Sequence, residues 1–182
     1  MYKSVLLIAI LLLYNSGFAQ KQTAHRFHAG IELDALPYAT GGWFAAAWAG
    51  NEQWRIRLLT AAVNKPDFTT RKGFTNHHIR AYAAVADYSL KKDWEGFWLG
   101  GGLVLWNSTI QTDARLQTAS FTNYLLNGSA GYHFTLHKNI YLSPWAGLSI
   151  RTGGDKDVAV DTKQYTLPLL NPEASVKIGF WF

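Results

Sequence analysis

The chain closes on Asn171-Pro172-Glu173-Ala174-Ser175-Val176-Lys177-Ile178-Gly179-Phe180-Trp181-Phe182. The residues alternate in character. Ala174, Val176, Ile178, Phe180 and Phe182 make one face; Glu173, Ser175, Lys177, Gly179 and Trp181 make the other. Successive side chains of a strand point to opposite faces, so a period of two predicts a strand with one apolar and one polar side.

The same period recurs upstream. Ile140, Leu142, Pro144, Ala146, Leu148 and Ile150 oppose Tyr141, Ser143, Trp145, Gly147, Ser149 and Arg151. Tyr82, Ala84, Ala86, Tyr88 and Leu90 oppose Ile79, Ala81, Ala83, Val85 and Asp87. Trp54, Ile56, Leu58 and Ala62 oppose Arg55 and Arg57. Phe27, Ala29, Ile31, Leu33 and Ala35 oppose His28, Gly30, Glu32 and Asp34. Two segments, 97–106 and 124–134, carry glycine in place of polar residues, and the facing of 42–50 is ambiguous. Eight strands follow, at about 25–36, 41–50, 53–63, 76–90, 96–108, 121–136, 139–152 and 169–182. Their connections alternate between short turns and long polar loops at 64–75, 109–120 and 153–168, apart from a short first loop near Pro37. Pro144 cannot donate to a ladder and predicts a bulge near a strand end.

The polar faces decide which way the sheet turns. Glu32, Asp34, Arg55, Arg57, Asp87, Arg151, Glu173 and Lys177 balance four acids against four bases, with small residues and Trp between them. A water-facing surface is denser in Lys and Glu. The interior of an eight-stranded barrel is just wide enough for side chains to fill, and opposed charges suit it. The expectation is an all-β, eight-stranded antiparallel up-and-down transmembrane β-barrel. Its apolar face looks outward, and a structural salt-bridge network plugs the lumen. Trp43, Trp54, Tyr82, Tyr88, Phe97, Tyr124, Phe134 and Phe180 are the candidates for interface girdles.

Composition agrees. Of 182 residues, 16% are charged and 15% aromatic, against about 25% charged in ordinary soluble domains. Mean hydropathy is −0.06, so the apolar residues are dispersed among polar ones. Lys3, the run Val5 to Leu13, and small residues Gly17 and Ala19 make a secretory leader, with cleavage expected after Ala19. The mature part, 20–182, is then one barrel domain. The absence of cysteine excludes a lipoprotein anchor, disulfides and thiolate metal sites. Lys and Arg are scattered, so no nucleic-acid partner is expected.

The ending KIGFWF (177–182) resembles the C-terminal strand of bacterial outer-membrane proteins. GFWLGGGLVLWNSTI (96–110), NIYLSPWAGLSIRTGGDK (139–156) and NPEASVKIGFWF (171–182) extend the likeness. Over 25–182 the chain resembles the small, porin-like barrels common in Bacteroidota-type Gram-negative envelopes. That resemblance implies the cell outer membrane as location and outer-membrane lipid as surroundings. It also implies Phe182 as the signal read by the barrel-assembly machinery.

The chemistry is sparse. His77, His78 and Arg80 sit where a long loop meets a strand, a place for a lipid-headgroup contact or for a catalytic base as in lipid A-modifying barrel enzymes. The Ser two residues beyond His that a lipid A deacylase uses is missing: His133 is followed by Thr135. Six His occupy five separate places, too dispersed for a zinc site. Gly100-Gly101-Gly102 lacks the Lys-Ser/Thr of a phosphate loop and reads as a bend or tight packing in a strand. No catalytic residue, cofactor or metal is expected. The expected role is structural, or an interaction through the loops with an extracellular or envelope partner that the sequence does not name. The alternatives are a lipid A- or phospholipid-modifying enzyme, and a soluble periplasmic lipocalin-like barrel with its apolar face inward.

Overall fold

The computed structural model describes residues 27–182. The leader expected over 1–19 lies outside them. Eight strands form a closed ring: β1 (His28–Asp34), β2 (Trp43–Gly50), β3 (Trp54–Lys65), β4 (Phe74–Ser89), β5 (Gly96–Thr112), β6 (Thr118–His137), β7 (Ile140–Gly154) and β10 (Leu170–Trp181). Each pairs antiparallel with its neighbours in chain order. The ring closes where β1 meets β10, with Gly30 opposite Trp181 and Asp34 opposite Lys177. Both ends of the ring's chain therefore lie at one rim, together with the turns at 51–53, 90–95 and 138–139. The longer connections gather at the other rim.

Three features differ from the sequence expectation. The connection after β1 is a short helix, α1 (Ala35–Ala39), whose first turn is capped by the Asp34 carboxylate accepting from the Leu36 N–H. The stretch 109–120 is mostly strand: β5 runs to Thr112 and β6 starts at Thr118. The loop 153–168 contains a hairpin, β8 (Asp157–Val160) with β9 (Lys163–Thr166), which stands outside the ring.

Pro144 also departs from expectation. It lies inside β7 opposite Val176, without a register shift. Instead the β6–β7 ladder skips the pairs between Gly131 and Phe134, where Pro144 supplies no N–H. Register shifts fall elsewhere in that pair, at Tyr124/Leu125 and Thr135/His137.

The polarity of the wall is inverted relative to a soluble barrel. Ile56, Leu58, Leu99, Leu103 and Ile178 are exposed on the outer surface, while Glu32, Arg55, Arg57, Asp87 and Lys177 are buried inside. The facing of 42–50, ambiguous in sequence, is resolved: Phe44, Ala46 and Trp48 point inward and Trp43 outward.

Candidate functional site: the barrel lumen

Neighbouring strands bring four charges to one level. The β3–β4 register sets Arg55 opposite Asp87. Arg57 lies two residues further along the same face, and Glu32 reaches in from β1. Arg55 Nη1 is 2.8 Å from Glu32 Oε1, and Arg55 Nε is 2.9 Å from Asp87 Oδ2. Arg57 Nη1 is 3.0 Å from Glu32 Oε2, and Arg57 Nη2 is 3.1 Å from Asp87 Oδ1. Each guanidinium bridges both carboxylates, so the square is electrically neutral. Charge-assisted bonds of this kind are the strong ones.

Aromatic side chains case the square. The Tyr141 hydroxyl donates to Glu32 Oε1 at 2.6 Å and accepts from Trp48 Nε1 at 2.9 Å. The Arg55 guanidinium lies over the rings of Trp48 and Trp94, and that of Arg57 over Trp98. Trp98 Nε1 donates to the Ser143 hydroxyl at 3.0 Å. Glycines make room for this packing. A Cβ on Gly100 would lie 2.5 Å from Asp87 Oδ1, and one on Gly179 would lie 2.2 Å from the Tyr141 ring. The tight-packing reading of the triple glycine therefore holds for Gly100.

The remaining inward charges do not join the square. Asp34 accepts from Trp145 Nε1 at 2.8 Å, from the Leu36 N–H and from the Ser175 hydroxyl. Glu173 accepts from the Ser149 hydroxyl at 2.6 Å. Arg151 Nη1 donates to the Asp155 carbonyl at the loop rim. The Lys177 ammonium lies 4.9 Å from the Trp98 ring and 4.3 Å from the Trp145 ring. The eight-residue network expected from sequence is thus a four-residue square with four separate neighbours. Alternation assigns a residue to a face but not to a height along the axis.

The lumen has two unlike halves. Toward the turns, Trp48, Trp94, His133 and Tyr141 leave a void of about 10 Å³, the room of a single water. Toward the loops, a cavity of about 730 Å³ opens above the square. Leu59, Ala61, Val63, Ile79, Ala81 and Val104 form one wall, and Asn127, Ser129, Asn171 and Glu173 line the opposite one. The plug expected from the charges therefore occupies only part of the lumen, and the free bore is larger than expected. Above the charges the inward faces of β3 and β4 become small or aliphatic, and on β5 Trp106 packs back onto Ala46, Ala61 and Ala81, so the bore stays open. The exposed rim residues Leu36, Phe68 and Arg71 place the mouth at the loop end.

Beside the mouth, the β8–β9 hairpin packs on the tops of β4, β5 and β6 through Phe74, Ile110, Phe121, Val160, Tyr165 and Leu167. His77 is buried against Phe121 and Tyr165, and neither ring nitrogen has a hydrogen-bond partner among the described residues. His78 faces away and meets Asn64 Oδ1 at 2.7 Å. His133 is buried near the other rim, also without a hydrogen-bond partner among the described residues. None of these imidazoles is joined to a serine and a carboxylate as a hydrolytic relay requires. Among the described residues no three His, Asp or Glu side chains converge as a metal site requires.

Comparison with solved structures places this geometry. The chain superposes on the N-terminal β-barrel domain of Pseudomonas aeruginosa OprF with a TM-score of 0.58 at 15% identity, covering 85% of this chain and 97% of that one. Against Neisserial surface protein A, NspA, the TM-score is 0.53 at 13% identity, covering 86% and 94%. The fold is that of the eight-stranded outer-membrane barrels. No family model matches the sequence, and no curated protein matches it. Identities this low carry the fold alone.

The outer surface of the barrel is banded. Trp54, Phe97, Phe134 and Phe180 are exposed near the turn rim, with Tyr88 half-buried beside Trp54 at 4.8 Å between rings. Trp43, Tyr82 and Tyr124 are exposed toward the loop rim. Phe134 and Tyr124 are ten residues apart on β6. That is about 34 Å along the strand, which a tilt of roughly 40° shortens to about 26 Å. The apolar band of an outer-membrane barrel is about 25 Å tall.

Proposed function

We propose that this protein is an integral outer-membrane β-barrel that does not conduct, serving envelope structure or an interaction made through its loop end. The observation that carries this reading is the inverted polarity of the wall: exposed aliphatics outside, a neutral ionic square inside. In lipid every backbone polar group needs a partner within the sheet, and a closed ring provides one. The filled turn-side half of the lumen argues against a solute path. On this reading residues 1–19 are a leader removed on export. Phe182 is the residue read by the barrel-assembly machinery, and outer-membrane lipid surrounds the aromatic bands. The resemblance of KIGFWF to envelope barrels of the Bacteroidota type supports the same placement.

Two measurements test it. The mature protein should begin at Gln20, stay in the membrane fraction after carbonate washing, and migrate differently on gels before and after boiling. In planar bilayers the purified barrel should give no stepwise conductance. Release by carbonate would remove the membrane reading, and steady unit conductance would remove the plug.

A further inference from the structure

We infer that the loop-side half of the lumen is a binding site for a single-chain anionic amphiphile, its head on the Lys177 ammonium and its chain along the aliphatic wall. Lys177 is 2% exposed and lines the cavity floor. The ring faces of Trp98 and Trp145 flank its ammonium, Asp34 lies across the strand pair, and no hydrogen bond or close ion pair reaches the ammonium from the described residues. A buried charge without a partner is strongly unfavourable.

The groups around Lys177 are already engaged. Glu32 and Asp87 are shared between Arg55 and Arg57. Asp34 has three donors, and Glu173 has the Ser149 hydroxyl. Asp34 and Glu173 line the same cavity and are held by neutral donors, whereas the Lys177 ammonium has no oxygen within bonding distance among the described residues, and an anionic head would supply one.

The shape of the space supplies the rest of the ligand. Its volume of about 730 Å³ falls within the range of small-molecule sites, roughly 300–1,000 Å³. From Lys177 to the rim residue Asn171 the strand rises about 20 Å, at about 3.4 Å per residue. A compact anion at the floor would leave Leu59, Val63, Ile79 and Val104 in water. A neutral hydrocarbon would leave the ammonium unpaired. One charged head on one alkyl chain satisfies both, with the head deep and the tail toward the mouth beside Phe68 and Leu36. The inference needs the barrel and its lumen, not the membrane setting proposed above. Binding and fractionation are read separately, so either can fail alone.

Native mass spectrometry of the mature barrel tests it, with the protein released from micelles of an uncharged detergent at constant concentration. The probes are dodecanoate, dodecyl phosphate, dodecanol and dodecyltrimethylammonium. One adduct per barrel is expected with an anion. The alcohol and the cation should bind at least about tenfold more weakly, the effect of losing one charge-assisted hydrogen bond. Lys177→Met should weaken the anion by a similar factor, Lys177→Arg should retain it, and Ala81→Phe should block the chain. Heat-modifiable migration checks each variant's fold; if Lys177→Met fails to fold, the probe comparison and Ala81→Phe decide. Binding of either anion alone supports the site and separates a carboxylate source from a phosphate one. Equal binding of dodecanol or the ammonium probe, an unchanged Lys177→Met, or no adduct overturns it.

Discussion

Arg57 shows how the interior is stabilised one residue at a time. Its guanidinium spans Glu32 and Asp87, so Arg57→Met leaves two buried carboxylates each one partner short. Breaking a buried ion pair from one side costs about 3–5 kcal/mol. We expect a loss of that size in guanidinium unfolding of the folded barrel, with the sheet unchanged by circular dichroism. A loss below about 1 kcal/mol, the worth of an exposed pair, would mean that water reaches the square. Gly100→Ala attacks the same place by crowding Asp87. It should cost about 1–3 kcal/mol, as overpacking does, and add little to Arg57→Met, since neighbouring changes do not sum. All four members of the square were legible in the sequence as charges on the polar faces. Tyr141 and Trp145 were also placed on that face. Their hydrogen bonds to Glu32 and Asp34 depend on how the ring closes, which no single strand encodes.

At the scale of elements, period two marked most of the eight barrel strands, because each separates two unlike surroundings, while 42–50 read as a strand without a facing since alanine and tryptophan stand on both of its sides. It failed where a segment serves neither. The β8–β9 hairpin is four residues a side and packs on strand tops, so its apolar residues follow a local core. Tyr165 anchors it, stacking edge-on against Phe74 at 4.9 Å between ring centroids. Tyr165→Ala should remove roughly 3–5 kcal/mol, more than so small a unit is expected to hold. Limited proteolysis should then cut within 155–169 while the barrel keeps its heat-modifiable migration. Titration gives a second view. Burial raises the Tyr165 phenol above its ordinary range, with the Arg71 charge opposing. A raised value in the folded state favours the protonated form there. The packing contribution is therefore complete below about pH 10 and is lost as pH rises beyond it. Protease sensitivity of the hairpin should increase above that point in the wild type. Tyr165→Phe, with no ionisable group, should show no such increase. An identical rise in the variant would assign the effect to another residue.

For the whole molecule, the decisive quantity is the free energy of a charge placed on the outside. Leu103 is 68% exposed on β5. It lies between the inward Gly102 and Val104, well inside the span from Phe97 to the strand's polar upper end. On a water-facing barrel Leu103→Arg would be a surface change worth under about 0.5 kcal/mol. On a lipid-facing one it costs about 2–4 kcal/mol near the bilayer midplane and about 0–1 near the interfaces. The pair Leu103→Arg and Tyr124→Arg therefore reads depth directly. Reversible folding into phospholipid vesicles should show the larger loss at Leu103 and the smaller at Tyr124, with both variants equal to wild type in detergent. The mixed composition is explained by the same geometry. Aliphatics turned outward and charges turned inward average to a mean hydropathy of −0.06, the value of an ordinary soluble chain. Only the order of residues along each strand distinguishes the two cases, so an unpenalised charge at Leu103 would return the apolar band to the status of an exposed patch that lipid does not cover.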